Sequence, residues 1–176
     1  MVENLTLTEP QVRKVKIGSI LVSQPKPESP KSPYFDIAKR HNVKIDFRQF
    51  IQVAGIEGKD FRKAKINLYD YSAVIFTSRN AVDHFFRICE ELRVKLSQET
   101  KYFCKSEAIA LYLQKYTLYR KRKVAFSDGT DADLLNLLKK YRDNERFLFP
   151  CSEVHAKNIP DFMKKNKFDY TEAVIY

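Results

Sequence analysis

Five short polar stretches, each directly behind an apolar run, hold the residue types that could do chemistry. They are Ser23-Gln24, Thr77-Ser78-Arg79-Asn80, Lys105-Ser106-Glu107, Ser127-Asp128-Gly129-Thr130 and Cys151-Ser152. They offer hydroxyls, amides and the first backbone N–H groups of helices, which make donors for an anion beside the positive end of a helix dipole. Taken singly, Ser78, Ser106, Thr130 and Ser152 each have a plainer use as a helix N-cap. Recurrence at five successive strand ends favours a donor-lined anion site, with Thr77, Ser78, Arg79, Ser106, Ser127 and Ser152 as its binding residues.

Other chemistries find little support. The four glycines, Gly18, Gly55, Gly58 and Gly129, are never one residue apart, so neither a dinucleotide fingerprint nor a P-loop can form. His41, His84 and His155 are isolated in sequence and read as ordinary surface or helix residues. There is no triad and no paired-carboxylate motif. Cys89, Cys104 and Cys151 are too few and too dispersed for a zinc spacing, and the odd count argues against a disulfide framework. They read as buried thiols of a reducing cytoplasm, and no metal is expected.

The elements that must position these residues alternate in type. Strands are expected over Ile17–Ser23, Val43–Val53, Ala73–Phe76, Lys101–Cys104, Leu118–Phe126, Arg146–Phe149 and Tyr170–Tyr176, following a loose polar leader over residues 1–16. Four prolines between Gln24 and Pro33 forbid regular structure there. Ser32-Pro33 opens a short helix ending near Lys39-Arg40-His41. Further helices follow Ser78, with Val82, Phe85, Phe86, Cys89 and Leu92 as an apolar stripe, and run through Ala108–Leu113, behind the cap Thr130-Asp-Ala-Asp133, and over Lys157–Lys165. Strands alternating with helices imply parallel sheets covered by helices through right-handed crossovers, an α/β class. In such sheets ligands bind at the carboxyl ends of strands, where the five polar stretches lie.

Composition sets the partner. The 176 residues carry 32 Lys+Arg against 22 Asp+Glu, a net charge of +10 that favours an anionic partner. With 44% hydrophobic residues the chain can build a core. The apolar runs are short and the opening residues lack an apolar stretch, so neither a membrane span nor a signal peptide is expected, and the cytoplasm is the expected compartment.

On these residues the chain resembles the uroporphyrinogen-III synthase family. Ile20-Leu-Val-Ser-Gln-Pro25 is similar to the family's first strand and loop, where an Arg often stands in place of Gln24. Val74-Ile-Phe-Thr-Ser-Arg-Asn-Ala-Val-Asp-His-Phe-Phe86 is similar to the strand ending in Phe-Thr-Ser and its aromatic-rich helix. Leu148-Phe-Pro-Cys-Ser152 resembles a later strand and turn, and Ala173-Val-Ile-Tyr176 the strand that carries the family's active-site tyrosine. The matches span residues 17–176. Many members have a Gly and a Thr behind the Lys101–Cys104 strand; Cys104 and Glu107 stand there in this chain, with Ser106 as the neighbouring hydroxyl.

The resemblance implies a two-domain α/β fold with parallel sheets flanked by helices. Residues 1–50 open the first domain, 51–172 form the second, and 173–176 begin the strand returning to the first, which is then incomplete in this chain. It implies a cofactor-free lyase of heme and tetrapyrrole biosynthesis. Such a hydro-lyase closes linear hydroxymethylbilane to uroporphyrinogen III, with inversion of ring D and loss of water. Tyr176 is the implied catalytic residue. Eight substrate carboxylates would match the excess positive charge, and holding a flexible, reactive chain in one geometry needs no potent nucleophile. A monomer, without membrane or nucleic-acid partner, is expected.

Two other readings compete. Arg120-Lys-Arg-Lys123, near Tyr112, Tyr116 and Tyr119, has the mix of cations and rings of a single-strand binder, and Gly55-Ile-Glu-Gly58 the bare form of a backbone-clamping GxxG loop. A basic α/β nucleic-acid binder without enzymatic activity is therefore the runner-up, although such a basic run on a strand is ordinarily a solvated face. A flavodoxin-like domain ranks lower, for want of a phosphate loop and of clustered acidic residues.

Overall fold

The structure, a computed structural model, describes residues 16–176; the expected leader over 1–16 lies almost wholly outside them. The chain divides into two compact units, one ending at Gln52 and the other beginning at Val53.

In the first unit, strands β1 (Ser19–Val22) and β2 (Lys44–Phe47) pair in parallel, joined through helix α1 (Pro33–His41). Pro33 takes the first turn of α1, where its missing N–H costs nothing, and Asn42 closes the helix in the left-handed conformation that Asn tolerates. The expected long strand to Val53 stops at Phe47. Its last bond to β1 runs from Arg48 N to Val22 O, and β1 ends at Val22, so the following residues have no ladder to join. No described residue of α1, β1 or β2 is buried, and Ile17 and Leu21 are exposed.

The second unit carries the core. It begins with a short helix α2 (Gly58–Phe61), and five strands form one sheet in which every neighbouring pair is parallel: β3 (Ala73–Phe76), β4 (Lys101–Cys104), β5 (Val124–Phe126), β6 (Phe147–Cys151) and β7 (Tyr170–Val174). Their order is β5-β4-β3-β6-β7. Helices α3 (Arg79–Glu91), α4 (Glu107–Tyr112), α5 (Asp131–Lys139) and α6 (Asn158–Lys165) form the crossovers.

Alternation along β3 builds two core layers. Val74 and Phe76 face α3 and α4, packing with Phe85, Ile88, Ile109 and Leu113; Ala73 and Ile75 face α5 and α6, packing with Leu134, Leu138, Ile159 and Met163. Burial of all four β3 residues is what its continuous apolar run requires. In α3 the buried Val82, Phe85, Ile88 and Cys89 form the inward stripe, and Ser78 caps the helix by accepting from Ala81 N at 3.0 Å.

One expectation fails locally in this unit. The strand expected over Leu118–Phe126 begins only at Val124. Lys123 N and Val124 N both donate to Arg120 O, so the basic run is a turn and not a strand face. The strand expected over Tyr170–Tyr176 forms as β7, where Ala173 and Val174 pair with Pro150 and Cys151.

Candidate functional site at the carboxyl edge of the sheet

From β3 the chain steps outward to β4 and β5, then returns to lay β6 and β7 on the other side. The strand order therefore reverses between β3 and β6, and a crevice is expected beyond their carboxyl ends. The sequence helps to open it. Phe147 N donates to Asp169 O and Glu153 N to Tyr176 O, so the odd-numbered N–H groups of this stretch face β7 and the position of Pro150 faces β3. Proline has no N–H to give, and the β3–β6 register ends at Val74 and Leu148.

On the α5/α6 side this edge forms a cleft of about 220 Å³, lined by Thr77 from the end of β3, Lys105 from the end of β4, Asp131 at the start of α5, and His155 and Asn158 leading into α6. Lys105 Nζ lies 2.7 Å from Asp131 Oδ1, and Asn158 Nδ2 donates to Asp131 Oδ2 at 3.1 Å. The bonds from Lys105, then Asn158, hold the Asp131 carboxyl below its usual range.

Deeper along β7, His155 Nδ1 lies 2.7 Å from Ser152 O and its Nε2 2.8 Å from Glu172 Oε2. Lys157 Nζ donates to the same carboxylate oxygen at 2.9 Å. Burial alone would raise the Glu172 carboxyl, but the bonds from Lys157 and His155 outweigh it and hold it low. Cys151, His155 and Glu172 bring ligand-type atoms within 4.8 Å of one another, the one such metal-capable group among the described residues. The cation the structure places against them is the Lys157 ammonium.

On the α3 side lies the tyrosine. Tyr176 OH is 3.2 Å from Ser78 Oγ, and the Tyr176 and His84 rings stack at 5.1 Å with 20° between their planes. Burial, then the nearby Arg87 guanidinium, lowers the His84 imidazole below its ordinary value, so the ring is uncharged at neutral pH. Arg87 donates to Ile56 O at 2.7 Å and pairs with Glu91. Gly55 packs so close that a Cβ there would fall 2.4 Å from Arg87 Nη2 and 2.6 Å from His84 Nδ1.

The expected site residues separate into groups. Ser78 is both cap and partner of Tyr176, and Thr77 lines the cleft. Arg79 is exposed, its guanidinium 5.4 Å above the Tyr112 ring. Ser106 occupies the N-cap position of α4 but makes no side-chain cap bond, so its half-buried hydroxyl is not spent on the helix. Ser127 is different: it is buried, and its hydroxyl donates to Lys105 O at 2.6 Å, which clamps two strand ends together and leaves no hydroxyl proton for a ligand. Ser152 does not cap α6, whose N-cap position is Lys157; its hydroxyl donates to Val154 O at 2.7 Å. Thr130 caps α5 as expected. Ser23 and Gln24 lie in the first unit, where Gln24 accepts from Tyr34.

Asp131, His155, Asn158 and His84 escaped the reading of the sequence. The first three sit just beyond strand ends, where the same positional rule applied a few residues further would have found them. For His84 the signal was its place on α3, nearly two turns after the Ser78 cap, which means little until Tyr176 is brought back to it.

Comparison with known proteins follows the same outline. Residues 39–176 match the family model described as uroporphyrinogen-III synthase HemD. Among solved structures, the chain is similar to a mutant uroporphyrinogen III synthase from the extremely thermophilic bacterium Thermus thermophilus, with TM-score 0.61 and 11% identity over 89% of this chain and 61% of that one. The wild-type protein from the same bacterium gives 0.55 and 14%, over 90% and 61%. The uroporphyrinogen-III synthetase of Helicobacter pylori gives 0.53 and 18%, again over 90% and 61%. The chain thus spans about three fifths of the length of these structures, and at such identities the likeness is one of fold. No match was found among curated proteins.

Proposed function

Because the chain belongs to the uroporphyrinogen-III synthase family, we propose that it acts in the closure of hydroxymethylbilane to uroporphyrinogen III. The observation that carries the reading is the Tyr176 phenol held beside Ser78 and against His84 at the carboxyl edge of the sheet.

In this reading the Tyr176 hydroxyl donates its proton as the substrate's terminal hydroxyl departs, so that water leaves and a delocalised azafulvene cation remains. Ring D attacks that cation through its substituted carbon, the spiro intermediate fragments, and the ring recloses inverted. The proton finally lost from carbon restores the phenol, so the balance is one water released. Ser78 orients the phenolic oxygen. The His84 ring, uncharged at neutral pH, fixes the plane of the tyrosine without placing a cation beside the developing azafulvene charge.

Thr77, Ser106 and Arg79 serve the substrate carboxylates, with Lys105 as a further cation once a carboxylate competes with Asp131; Ser152 joins them only by giving up its bond to Val154 O. Ser127 acts only by clamping the ends of β4 and β5. No helix among the described residues is long and apolar enough to cross a membrane, which accords with a water-borne substrate. The test is an assay fed with freshly generated hydroxymethylbilane, resolving the inverted from the non-inverted product. Enzyme-dependent formation of the inverted isomer is expected; product ratios equal to those of the spontaneous reaction would overturn the reading.

A further inference from the structure

The basic run Arg120-Lys-Arg-Lys123 takes no part in the carboxyl-edge site. Lys123 directly precedes β5 and Thr100 directly precedes β4, so both lie at the amino ends of their strands, the opposite end of the sheet from Thr77 and Lys105. The turn closed by Lys123 N and Val124 N on Arg120 O separates the four cations. Lys121 and Arg122 stay exposed, Arg120 is half-buried, and Lys123 is turned inward to 7% exposure.

Lys123 and Arg120 line one cleft of about 370 Å³, together with the Thr100 and Thr117 side chains and the Tyr102 and Tyr116 rings. That volume falls within the range of small-molecule sites, roughly 300–1,000 Å³. The Lys123 ammonium is buried without a well-formed hydrogen bond. Its ion-pair partner is the Glu99 carboxylate, on a side chain 76% exposed to solvent. A buried ammonium is costly unless its donors are used. That one pair, to a largely exposed carboxylate, engages at most one of the three donors of the ammonium.

We propose that this cleft binds a compact phosphate monoester carrying a flat ring, of the size and chemistry of a nucleoside monophosphate. A phosphoryl group bears about −1.5 to −2 charges at neutral pH and has three acceptor oxygens, which match two cations and the neutral hydroxyl donors at the cleft wall. Arg120 supplies the planar fork suited to phosphate, and Lys123 the point charge. The flat part lies against the half-buried Tyr116, with the buried Tyr102 as the floor of the cleft. Tyr116 is held ready by its stacking on Phe86 at 4.7 Å and by its hydrogen bond to Asp83. The phosphoryl group replaces Glu99 as the partner of the Lys123 ammonium, and the largely exposed Glu99 carboxylate passes to solvent.

The test is calorimetric titration of the protein with AMP, with adenosine and inorganic phosphate as fragment controls. AMP should bind at a single saturable site, more tightly than either fragment. Lys123→Met, which replaces a buried charge by a side chain of similar length, should remain folded and lose at least about tenfold in affinity. Arg120→Gln, at a half-buried position, provides a second variant with the same expected loss. Ser78→Ala, at the other end of the sheet, should bind AMP as the parent does. Absence of saturable binding at millimolar AMP, or unchanged affinity in both cleft variants, would overturn the proposal. So would tight, salt-sensitive binding of a single-stranded oligonucleotide that AMP cannot displace, since the turn would then be serving a nucleic-acid surface.

Discussion

The Tyr176 phenolic oxygen lies 3.2 Å from Ser78 Oγ, although 98 residues separate them in sequence. Ser78 is at the same time the cap of α3, accepting from Ala81 N. One hydroxyl therefore ties a strand end, a helix start and a candidate catalytic phenol into a single unit. The His84 ring, stacked on Tyr176, closes the arrangement from the helix side.

Removing only the phenolic oxygen tests that unit. Tyr176→Phe keeps the ring and its stacking, so stability should change little, while turnover of hydroxymethylbilane should fall by about a hundredfold or more if the phenol assists departure of the hydroxyl. A quench assay resolving the two product isomers reads this directly. Wild-type turnover in the variant would remove the catalytic role.

Ser78→Ala separates capping from chemistry. Loss of the cap should cost about 1 kcal/mol, seen as a fall in Tm of about 2–4 °C for a chain of this size. Ser78→Thr retains a capping oxygen and should recover most of that loss. Activity should drop only partly in Ser78→Ala, because positioning of the substrate is spread over several donors.

At Gly55 an alanine would push on Arg87 and His84. Arg87 must give way, losing its bond to Ile56 O, and the His84 ring shifts against Tyr176. The expected destabilisation is about 1–2 kcal/mol. Urea unfolding reads the stability, and the isomer assay should show a drop in turnover with the Tyr176 side chain intact.

The Lys105 and Asp131 pair should show its contribution through pH. Because Asp131 is held below its unfolded value of about 3.8, its stabilising effect is fully present above roughly pH 4–5 and is lost as pH falls through the folded value. Asp131→Asn should therefore lower the stability read from urea unfolding at pH 7, by less than about 1 kcal/mol given the partial exposure of the pair. The difference from wild type should shrink steadily between about pH 5 and pH 2. A constant difference across that range would show that the pair carries no net charge coupling.

Burial pushes the Cys89 and Cys104 thiols up to about 12. Burial, then the Glu172 charge, pushes Cys151 to about 11. At pH 8 the folded protein should consequently react with a thiol reagent only as fast as it opens, and all three thiols should be modified together once denaturant unfolds it. Rapid labelling of one thiol in native buffer would contradict this.

Much of the architecture is carried by local pattern. Continuous apolar runs such as Ala73–Phe76 can only be strands covered on both faces, and the stripe on α3 and the cap at Thr130 follow from side-chain geometry over a few residues. Four of the five polar strand ends, those behind β3, β4, β5 and β6, mark one edge of the five-stranded sheet, and Thr77 and Ser78 do lie there. What a local pattern omits is the partner. The strand expected over Leu118–Phe126 shrinks to three residues because a turn to Arg120 O, not β4, takes the available N–H groups. Ser127 is used internally because the neighbouring strand end presents the Lys105 carbonyl. His84 becomes part of a site only when β7, laid down last, brings Tyr176 back over α3. Most of the strands, helices and strand-end donors are thus legible in the chain alone, since those are preferences of neighbours along it, while strand ends such as those of β2 and β5 wait on a partner. Which of these donors remain free is settled only on folding, because groups distant in sequence, such as Lys105 O for Ser127 and the Tyr176 phenol for Ser78, arrive to engage them.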